Sequence, residues 1–466
     1  MTITELWALI PLLILACGSV FVLMLGAIVP GRCGTVIGVA VCAGTALWAM
    51  LAPPQPLAPP TLGVTVTPFT RFFLVFFAVT AGLSLLLARD HAARQGLKGE
   101  EYPATILFGT FGMGVVASAA NFLTLFLGLE ALTFAFYILV AYDHNRPASG
   151  EAGLKYLLMG AVSAAFVAFG IALLYGATGT LEISRAVAAS AAGGGIALAG
   201  WGLLLAGLAF KISLAPAHLW TPDIYQGGPT PVVAFLASGS KGAAIALFLL
   251  ILSPLGTLGT LRAPLWGLAF LSMTVGNLAA LLQPNVKRML AYSSVAQMGY
   301  VALALLSGGR GYEAAAFYAV AYGAMVLAAF GALASLEGET PLEQVDDLRG
   351  LGYHRPFQGV VLAVAMLALA GIPPTVGFVG KFAIFFAALK GGEAPLAVIG
   401  ILTAAASAYY YLRVVVNLYM KPADETGSGQ RPTVAEALSL GIAALAIFIL
   451  GIWPGPLFDL AAAILR

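Results

Sequence analysis

Apolar stretches of about 20 residues recur along the whole sequence, and short polar linkers separate them. Each stretch is long enough to cross the hydrocarbon core of a bilayer as an α-helix, which satisfies its own backbone hydrogen bonds in lipid. Of the 466 residues, 61% are hydrophobic and only 9% are charged. We therefore predict an all-α polytopic membrane protein that forms a single integral membrane domain.

The apolar pattern predicts about 14 transmembrane helices. Their expected bounds are 5–29, 34–52, 66–89, 102–119, 121–142, 153–176, 194–220, 229–253, 263–282, 288–307, 313–336, 356–390, 395–419 and 433–460. A proline-rich segment at 52–60 is expected to be a loop, because proline lacks the backbone N–H that a helix needs. When the linkers are assigned to alternate sides, lysine and arginine are about twice as frequent on the side opposite to the two termini. Because the side with more basic residues is normally the inner one, this predicts that both termini lie outside.

Proline interrupts two of the predicted helices, the seventh and the twelfth. In the stretch 207–241, an apolar run that carries Lys211 breaks at Pro216 and Pro222, and a second apolar run carries Lys241. In lipid, such a break survives only where protein or water satisfies the freed backbone groups. Interrupted helices of this kind mark ion and proton sites in transporters.

The second interruption, at 371–382, leads through a proline pair to another lysine, Lys381. Interrupted helices in corresponding places indicate two internal repeats of five helices. Because five is an odd number, the second repeat is expected to be inverted. The chain would then divide into helices 1–3 (1–101), a first repeat of helices 4–8 (102–253), a second repeat of helices 9–13 (263–419) and a C-terminal helix (433–460).

Four ionisable residues fall inside predicted helices: Glu130, Lys211, Lys241 and Lys381. Each costs roughly 2.5–3.5 kcal/mol at a helix centre, so a set of four indicates use. Burial disfavours the charged form of a lysine, whereas a nearby carboxylate favours it. A lysine whose distance to Glu130 changes would therefore accept and release a proton, and a series of such lysines would form a proton relay. The alternative is a structural ion pair between Glu130 and one lysine.

Two further residues are candidates for a secondary proton path. His218 follows Lys211 beside Pro216 and can titrate near neutral pH, or it hydrogen-bonds the open backbone of the break. Lys155 opens the sixth helix, where it either extends to the membrane surface or influences the region of Glu130 and Lys211.

Other polar residues are expected to have simpler roles. Lys287 and Arg288 would be topology anchors on the inner side. Asp223 would be a cap or loop residue, and Gln297 would hydrogen-bond to water. The tyrosines at 409–411 would belong to an interfacial aromatic belt.

The sequence offers little for redox or nucleotide chemistry. Its three cysteines, Cys17, Cys33 and Cys42, include no C-x-x-C pair and cannot supply a four-cysteine iron–sulfur cluster. No phosphate-binding loop motif is present. The net charge of +2 gives no indication of a nucleic-acid partner. We therefore expect neither a metal nor a cofactor in this chain.

Several segments resemble the subunit N family of bacterial NADH:quinone oxidoreductase (respiratory complex I), an antiporter-like group that is homologous to mitochondrial subunit 2. The segments that carry the resemblance are FLGLE (126–130), LKY (154–156), FKISLAPAHLWTPDIYQGGPTPVVAFLASGSK (210–241), GNLAALLQPNVKRMLAYSSVAQMGY (276–300), LALAGIPPTVGFVGKF (367–382) and YYYLRVVVNLYM (409–420). The resemblance spans nearly the whole chain, and HLWTPDIYQG is specific to this subunit type.

The resemblance implies 14 transmembrane helices with two inverted five-helix repeats and broken helices 7 and 12. It implies a proton-translocating subunit of the membrane arm in the bacterial inner membrane, with FMN, iron–sulfur clusters and quinone in partner subunits. The neighbours would be antiporter-like subunit M and the small subunit K. The family's proton-relay residues fall on Glu130, Lys211, Lys241 and Lys381, and its sixth-helix lysine falls on Lys155.

Lys381 fits the subunit N family, because subunit M carries a glutamate there. One position departs from the pattern, since Gln297 stands where some members carry a histidine. Two other functions stay open. A subunit of a multi-subunit cation/proton antiporter would share the fold, so the fold alone does not discriminate. A structural scaffold would tolerate apolar residues in place of the membrane lysines.

Overall fold

The computed structural model describes residues 3–28, 33–51, 63–96, 99–190, 194–255, 259–337, 342–422 and 431–465. The proline-rich segment at 52–60, which was predicted to be a loop, lies outside these ranges. Within them the chain is helical, and the only β-pairing consists of isolated bridges, such as the one between Asn285 and Gln344. The predicted all-α class is therefore confirmed.

The described ranges contain the following helices in chain order: α1 (Ile3–Ile28), α2 (Cys33–Leu51), α3 (Pro68–Arg94), α4 (Glu101–Ala117), α5 (Phe122–Val140), α6 (Pro147–Thr178), α7 (Ile183–Ala189), α8 (Gly194–Ile212), α9 (Trp220–Gly227), α10 (Thr230–Phe235), α11 (Lys241–Leu252), α12 (Arg262–Leu282), α13 (Val286–Leu306), α14 (Arg310–Leu336), α15 (Leu351–His354), α16 (Pro356–Ala370), α17 (Val376–Lys390), α18 (Ala394–Met420), α19 (Val434–Ile452) and α20 (Gly455–Ala463). A five-residue π-helix, Leu236–Ser240, joins α10 to α11.

The helices correspond closely to the predicted spans. Twelve helical segments in the described ranges are long and apolar enough to cross a membrane. The two other predicted spans are α4, which has 17 residues, and the broken helix formed by α16 and α17, which have 15 residues each. The short helix α7 was not predicted, because seven residues give too little periodicity to detect.

The last predicted span was too long. The helix expected at 433–460 ends at Ile452, and α20 begins after Pro454. Proline at this position cannot donate the backbone hydrogen bond that would continue the helix. The ring of Phe458 in α20 stacks on Phe317 of α14, with centroids 4.1 Å apart, so the segment turns back onto the bundle.

The two helix breaks have the same backbone design. α8 ends at Ile212, Ser213 takes a left-handed conformation with φ 68°, and the Leu214 N–H donates to the carbonyl of Ala209. α16 ends at Ala370, Gly371 takes φ 88°, and the N–H of the next residue donates to a carbonyl five positions back. This is the Schellman motif that ends helices. A proline with a cis peptide bond, Pro216 or Pro374, stands three residues after each left-handed residue.

α8 lies close against α6, and this contact holds the end of α8 in place. A Cβ atom on Gly207 would lie 2.5 Å from a methyl group of Val167 and 2.9 Å from the carbonyl oxygen of Ser163. The Ser163 hydroxyl also donates to the carbonyl of Gly207 at 2.9 Å. Small residues permit this close approach of two membrane helices.

We therefore expect Gly207→Val to separate α8 from α6, at a cost of about 1–3 kcal/mol in the free energy of unfolding. The measurement is the thermal unfolding of the purified protein in detergent. Gly202→Val is the matched control on the same helix, because a Cβ at Gly202 meets no atom of the described residues within 4 Å. Equal stability of the two variants would contradict the expectation.

Candidate functional site

Glu130 on α5 and Lys211 on α8 form an ion pair, as the sequence predicted they could. The Lys211 Nζ lies 3.1 Å from a carboxylate oxygen of Glu130 and also donates to the hydroxyl of Thr133 at 3.0 Å. The lysine side chain is 6% exposed, and that of the glutamate is 29% exposed. The pair therefore extends from the interior to the side of the bundle.

Thr133 belongs to this site, although sequence reasoning did not include it. It lies three residues after Glu130 in α5, which places both side chains on one helix face. Its hydroxyl donates to the carbonyl of Leu129 at 2.5 Å and accepts from Lys211. A search for polar residues at helical spacing from Glu130 would have found it.

Lys241 opens α11 and is fully buried. Its Nζ donates to the carbonyl of Ile212 at 2.9 Å and to the hydroxyl of Ser213, and it lies 4.9 Å from the ring centroid of Trp220. No ion pair involves this lysine within the described part of the chain. Its charge is therefore stabilised by the carbonyl end of α8 and by an aromatic face rather than by a carboxylate.

Lys381 on α17 has a similar setting at the second break. Its Nζ donates to the carbonyls of Leu369 and Ala370, at 2.6 and 3.3 Å, and lies 5.5 Å from the ring centroid of Tyr300. The lysine also lines a cavity of about 480 Å³ between α17 and α18, and the other lining residues are apolar, including Phe382. Each broken helix thus presents its last carbonyls to a buried lysine.

Gln297 on α13 is part of a buried polar network beside Lys381. Its side-chain amide donates to the same Leu369 carbonyl, at 3.2 Å, and to the hydroxyl of Tyr411, at 3.1 Å. Its oxygen accepts from Tyr318 at 2.5 Å. Gln297 therefore contacts protein groups directly, in addition to any water that it binds.

The tyrosine run was partly misassigned to an interfacial belt. Tyr409 is 64% exposed and fits that role, but Tyr410 and Tyr411 are buried. Tyr410 donates to Asn277 at 2.9 Å, and Tyr411 shares a short hydrogen bond with Ser293. A helix in a bundle presents neighbouring residues to different surroundings, so consecutive residues can differ in burial.

Lys155 does not contact Glu130 or Lys211. Its Nζ lies 2.7 Å from Glu151 and 3.2 Å from Asp223. Asp223 also accepts from Arg288, at 2.7 Å. Asp223 is therefore neither a cap nor a simple loop residue, because it joins a lysine of the first half to an arginine of the second half. The sequence could not show this, since these residues are far apart in the chain.

His218 is buried near the first break. The ring of Tyr292 lies edge-on to the His218 ring, with centroids 6.1 Å apart. Its Nδ1 has no hydrogen-bond partner in the residues that the structure describes. The structure places His218 next to the broken backbone and in no ion pair with the relay lysines.

Lys287 is not a topology anchor at the surface. It is 1% exposed, and its Nζ lies 2.6 Å from Glu337 and 2.6 Å from the hydroxyl of Thr230. Thr230 in turn donates to Glu337 at 2.7 Å, and His91 lies 4.0 Å from the same carboxylate. This cluster joins α3 and α10 to α13 and the end of α14.

Burial alone raises the pKa of the Glu337 carboxyl, but Lys287, His91 and the Thr230 hydroxyl reverse the effect. The pKa of Glu337 therefore lies below its ordinary value of 4.5. The carboxylate stays charged at neutral pH, and the pair with Lys287 is ionic.

Comparisons with known proteins show the family of the chain. The family described as NADH:quinone oxidoreductase/Mrp antiporter, TM, matches residues 119–407. NADH-quinone oxidoreductase subunit N of Geotalea uraniireducens is 61% identical, over 100% of both chains. The subunit of the same name from Syntrophotalea carbinolica is 44% identical, also over 100% of both chains.

Solved structures share the fold. A chain of respiratory complex I from Thermus thermophilus is 36% identical and superposes with a TM-score of 0.84, over 97% of this chain and 99% of that one. A chain of the archaeal membrane-bound sulfane sulfur reductase is 26% identical, with a TM-score of 0.88 over 98% and 96%. A chain of the Mrp complex from Dietzia sp. is 20% identical, with a TM-score of 0.86 over 99% and 97%, which shows the fold alone. The predicted fold of two inverted repeats with broken helices 7 and 12 is confirmed, whereas the exact repeat boundaries stay a prediction.

Proposed function

Because the chain belongs to the NADH:quinone oxidoreductase/Mrp antiporter transmembrane family, we propose that its buried lysines carry protons across the membrane arm of an NADH:quinone oxidoreductase. The chain is a subunit of that proton-translocating enzyme. The proposal concerns how the protons move, through Glu130, Lys211, Lys241 and Lys381.

One observation carries the proposal: two fully or nearly buried lysines, Lys241 and Lys381, are bound by helix-end carbonyls and have no carboxylate partner among the residues that the structure describes. A buried ammonium without a counter-charge is costly, so such a lysine is ready to give up its proton. The surrounding carbonyls and aromatic rings make the charged form accessible again. A group that can exist in both forms is a proton carrier.

The residues would act in sequence. Glu130 would control the charge on Lys211, because a carboxylate that approaches a buried lysine favours its protonated form. Lys211 and Ile212 are adjacent at the end of α8, and Lys241 binds the Ile212 carbonyl, so the first break links the two lysines. Lys381, with the network around Gln297, would serve the second half-channel.

A secondary path would use Lys155 and His218. Lys155 connects through Asp223 to the second half, and His218 is buried beside the first break.

In the assembled enzyme, FMN, the iron–sulfur clusters and quinone would lie in partner subunits. Subunits M and K would be the neighbours, and both termini would lie on the outer side of a bacterial inner membrane. The support for these finer assignments is the resemblance and the distribution of lysine and arginine.

The alternative is a subunit of a cation/proton antiporter. The Mrp complex supports it by fold only, since the identity is 20%, whereas relatives at 61% and 44% identity are NADH-quinone oxidoreductase subunits. Sodium-dependent transport in vesicles that lack NADH would favour the antiporter.

The proposal is tested with Glu130→Gln, which keeps the shape of the side chain and removes its charge. We expect NADH-driven acidification of membrane vesicles to fall about tenfold, because the variant removes the carboxylate charge that favours the protonated form of Lys211. NADH oxidation is followed in parallel, and assembly is checked on a native gel. The control is Asp459→Asn, which likewise replaces a carboxylate by its amide, but at an exposed position. Acidification by Glu130→Gln at the rate of this control would contradict the proposed role.

A further inference from the structure

Ser213 has an unusual backbone conformation. It is the one non-glycine residue with positive φ in the described ranges, at 68°. A residue with a Cβ atom is disfavoured there, because the Cβ crowds the following carbonyl oxygen. At the matching position of the second break, Gly371 takes φ 88° without this conflict. The first break therefore keeps a serine where a glycine would fit the backbone better.

The Ser213 hydroxyl is fully buried and contacts the relay. It accepts a short hydrogen bond from the Nζ of Lys241, and the hydroxyl of Thr221 donates to it at 2.6 Å. Thr221 is fully buried as well. The three groups form a series in which Thr221 donates to Ser213, and Ser213 faces Lys241.

The second break shows what the serine replaces. Lys381 is held by two carbonyls, those of Leu369 and Ala370. Lys241 is held by one carbonyl, that of Ile212, and the Ser213 hydroxyl takes the second place. A Cβ atom at Gly371 would lie 3.2 Å from the Cδ atom of Lys381, so the lysine would have to shift by a few tenths of an ångström to admit a serine there.

A hydroxyl can both donate and accept a hydrogen bond, whereas a carbonyl can only accept one. A carbonyl only accepts hydrogen bonds, so it binds a lysine through an N–H of the amine or ammonium. A hydroxyl accepts from an ammonium, and after rotation it donates to the lone pair of a neutral amine. When Ser213 donates to neutral Lys241, its oxygen still accepts from Thr221, so no buried group loses its partner.

We propose that Ser213 is a positioning residue for Lys241, and that its hydroxyl holds the lysine nitrogen at the end of α8 in both the charged and the neutral form. Thr221 orients that hydroxyl. This inference rests on the proposed function, in which Lys241 passes protons between the halves. It gives a reason for a strained serine at a position where the second repeat has a glycine.

The test is Ser213→Gly in the assembled complex in membrane vesicles. We expect assembly and thermal stability at or above those of the parent, because glycine adopts positive φ freely. NADH-driven acidification is expected to fall about tenfold, the factor that corresponds to the loss of one hydrogen bond to a charged group. If the serine only shaped the backbone, Ser213→Gly would pump as well as the parent, and that result would overturn the proposal.

Two further variants keep the test decisive. Ser213→Asn should restore most of the acidification, since asparagine tolerates positive φ and its amide can both accept and donate. Thr221→Val leaves the shape of the break intact and removes the donor to Ser213, so a drop in acidification of about threefold or more is expected. If Ser213→Gly fails to assemble, unchanged acidification with Thr221→Val overturns the proposal.

Lys241→Met separates the two levels of inference. Normal acidification with this variant would refute the proposed relay itself. Impaired acidification with Lys241→Met, together with normal acidification in Ser213→Gly, would leave the relay intact and refute only the role of Ser213.

Discussion

Lys211→Ala is expected to lower NADH-driven acidification of membrane vesicles by about a hundredfold or more, the usual range for removing a proton-transfer group. Alanine cannot hold a proton, and the change also leaves Glu130 and Thr133 without the amine that both of them contact. NADH oxidation should fall in parallel, because the electron-transfer reaction is coupled to proton movement. Acidification and oxidation are recorded on the same vesicles.

The control for this variant is Lys390→Ala, which removes an exposed lysine near the end of α17. A native gel must show that the complex with Lys211→Ala is assembled. Normal oxidation together with normal acidification would mean that the first break has only a structural role, and Lys211 would not belong to the relay.

Lys287→Met is expected to destabilise the protein by about 3–5 kcal/mol, because it leaves the charge of Glu337 buried without its partner. Both side chains are 2% exposed, and the nitrogen and the carboxylate oxygen are 2.6 Å apart. The loss should be visible as a lower unfolding temperature in detergent and as less assembled complex. The double variant Lys287→Met/Glu337→Gln should recover most of the stability, since no unpaired charge then remains.

Lys421→Met is the matched control, because Lys421 and Asp346 form an exposed pair with a separation of 3.4 Å. Exposed pairs contribute about 0–1 kcal/mol, so this variant should unfold close to the parent. Equal effects of Lys287→Met and Lys421→Met would show that the buried pair has no special importance for stability.

The pH dependence of the Glu337 contribution follows from its lowered pKa. Its folded pKa lies below the ordinary value of 4.5, so its stabilising effect is fully present above that pH and is lost as the pH falls through the folded pKa. The difference in free energy of unfolding between the parent and the double variant should therefore be constant from about pH 6 to 8, because the Glu337 carboxyl is ionised throughout that range.

Much of the fold was predictable from the sequence because lipid imposes simple rules. Runs of about 20 apolar residues form helices in lipid, and a proline within such a run can interrupt the helix because proline has no backbone N–H. This was enough to place both breaks and to identify Glu130, Lys211, Lys241 and Lys381 as intramembrane charges. The pairing of Glu130 with Lys211 was also expected, since a buried lysine needs a nearby acceptor.

The errors about burial have a common cause. Lys287 was assigned to the surface, and Tyr410 and Tyr411 were assigned to a belt, although all three are buried. In a soluble helix, the apolar face identifies the core, but in lipid the outward face is apolar as well. Hydrophobic periodicity therefore does not tell which side of a membrane helix faces its neighbours.

The sequence by itself determined which segments cross the membrane, where the two helices break, and which four charged residues lie within the membrane, because each follows from the local cost of polar groups in lipid. Tertiary structure alone decided the polar contacts beyond the pair of Glu130 and Lys211. The contacts of Thr133 with Lys211, of Ser213 with Lys241, and of Glu337 with Lys287 join helices distant in sequence. A hydrogen bond depends on distances within a few tenths of an ångström, and only the packing of the helices sets them.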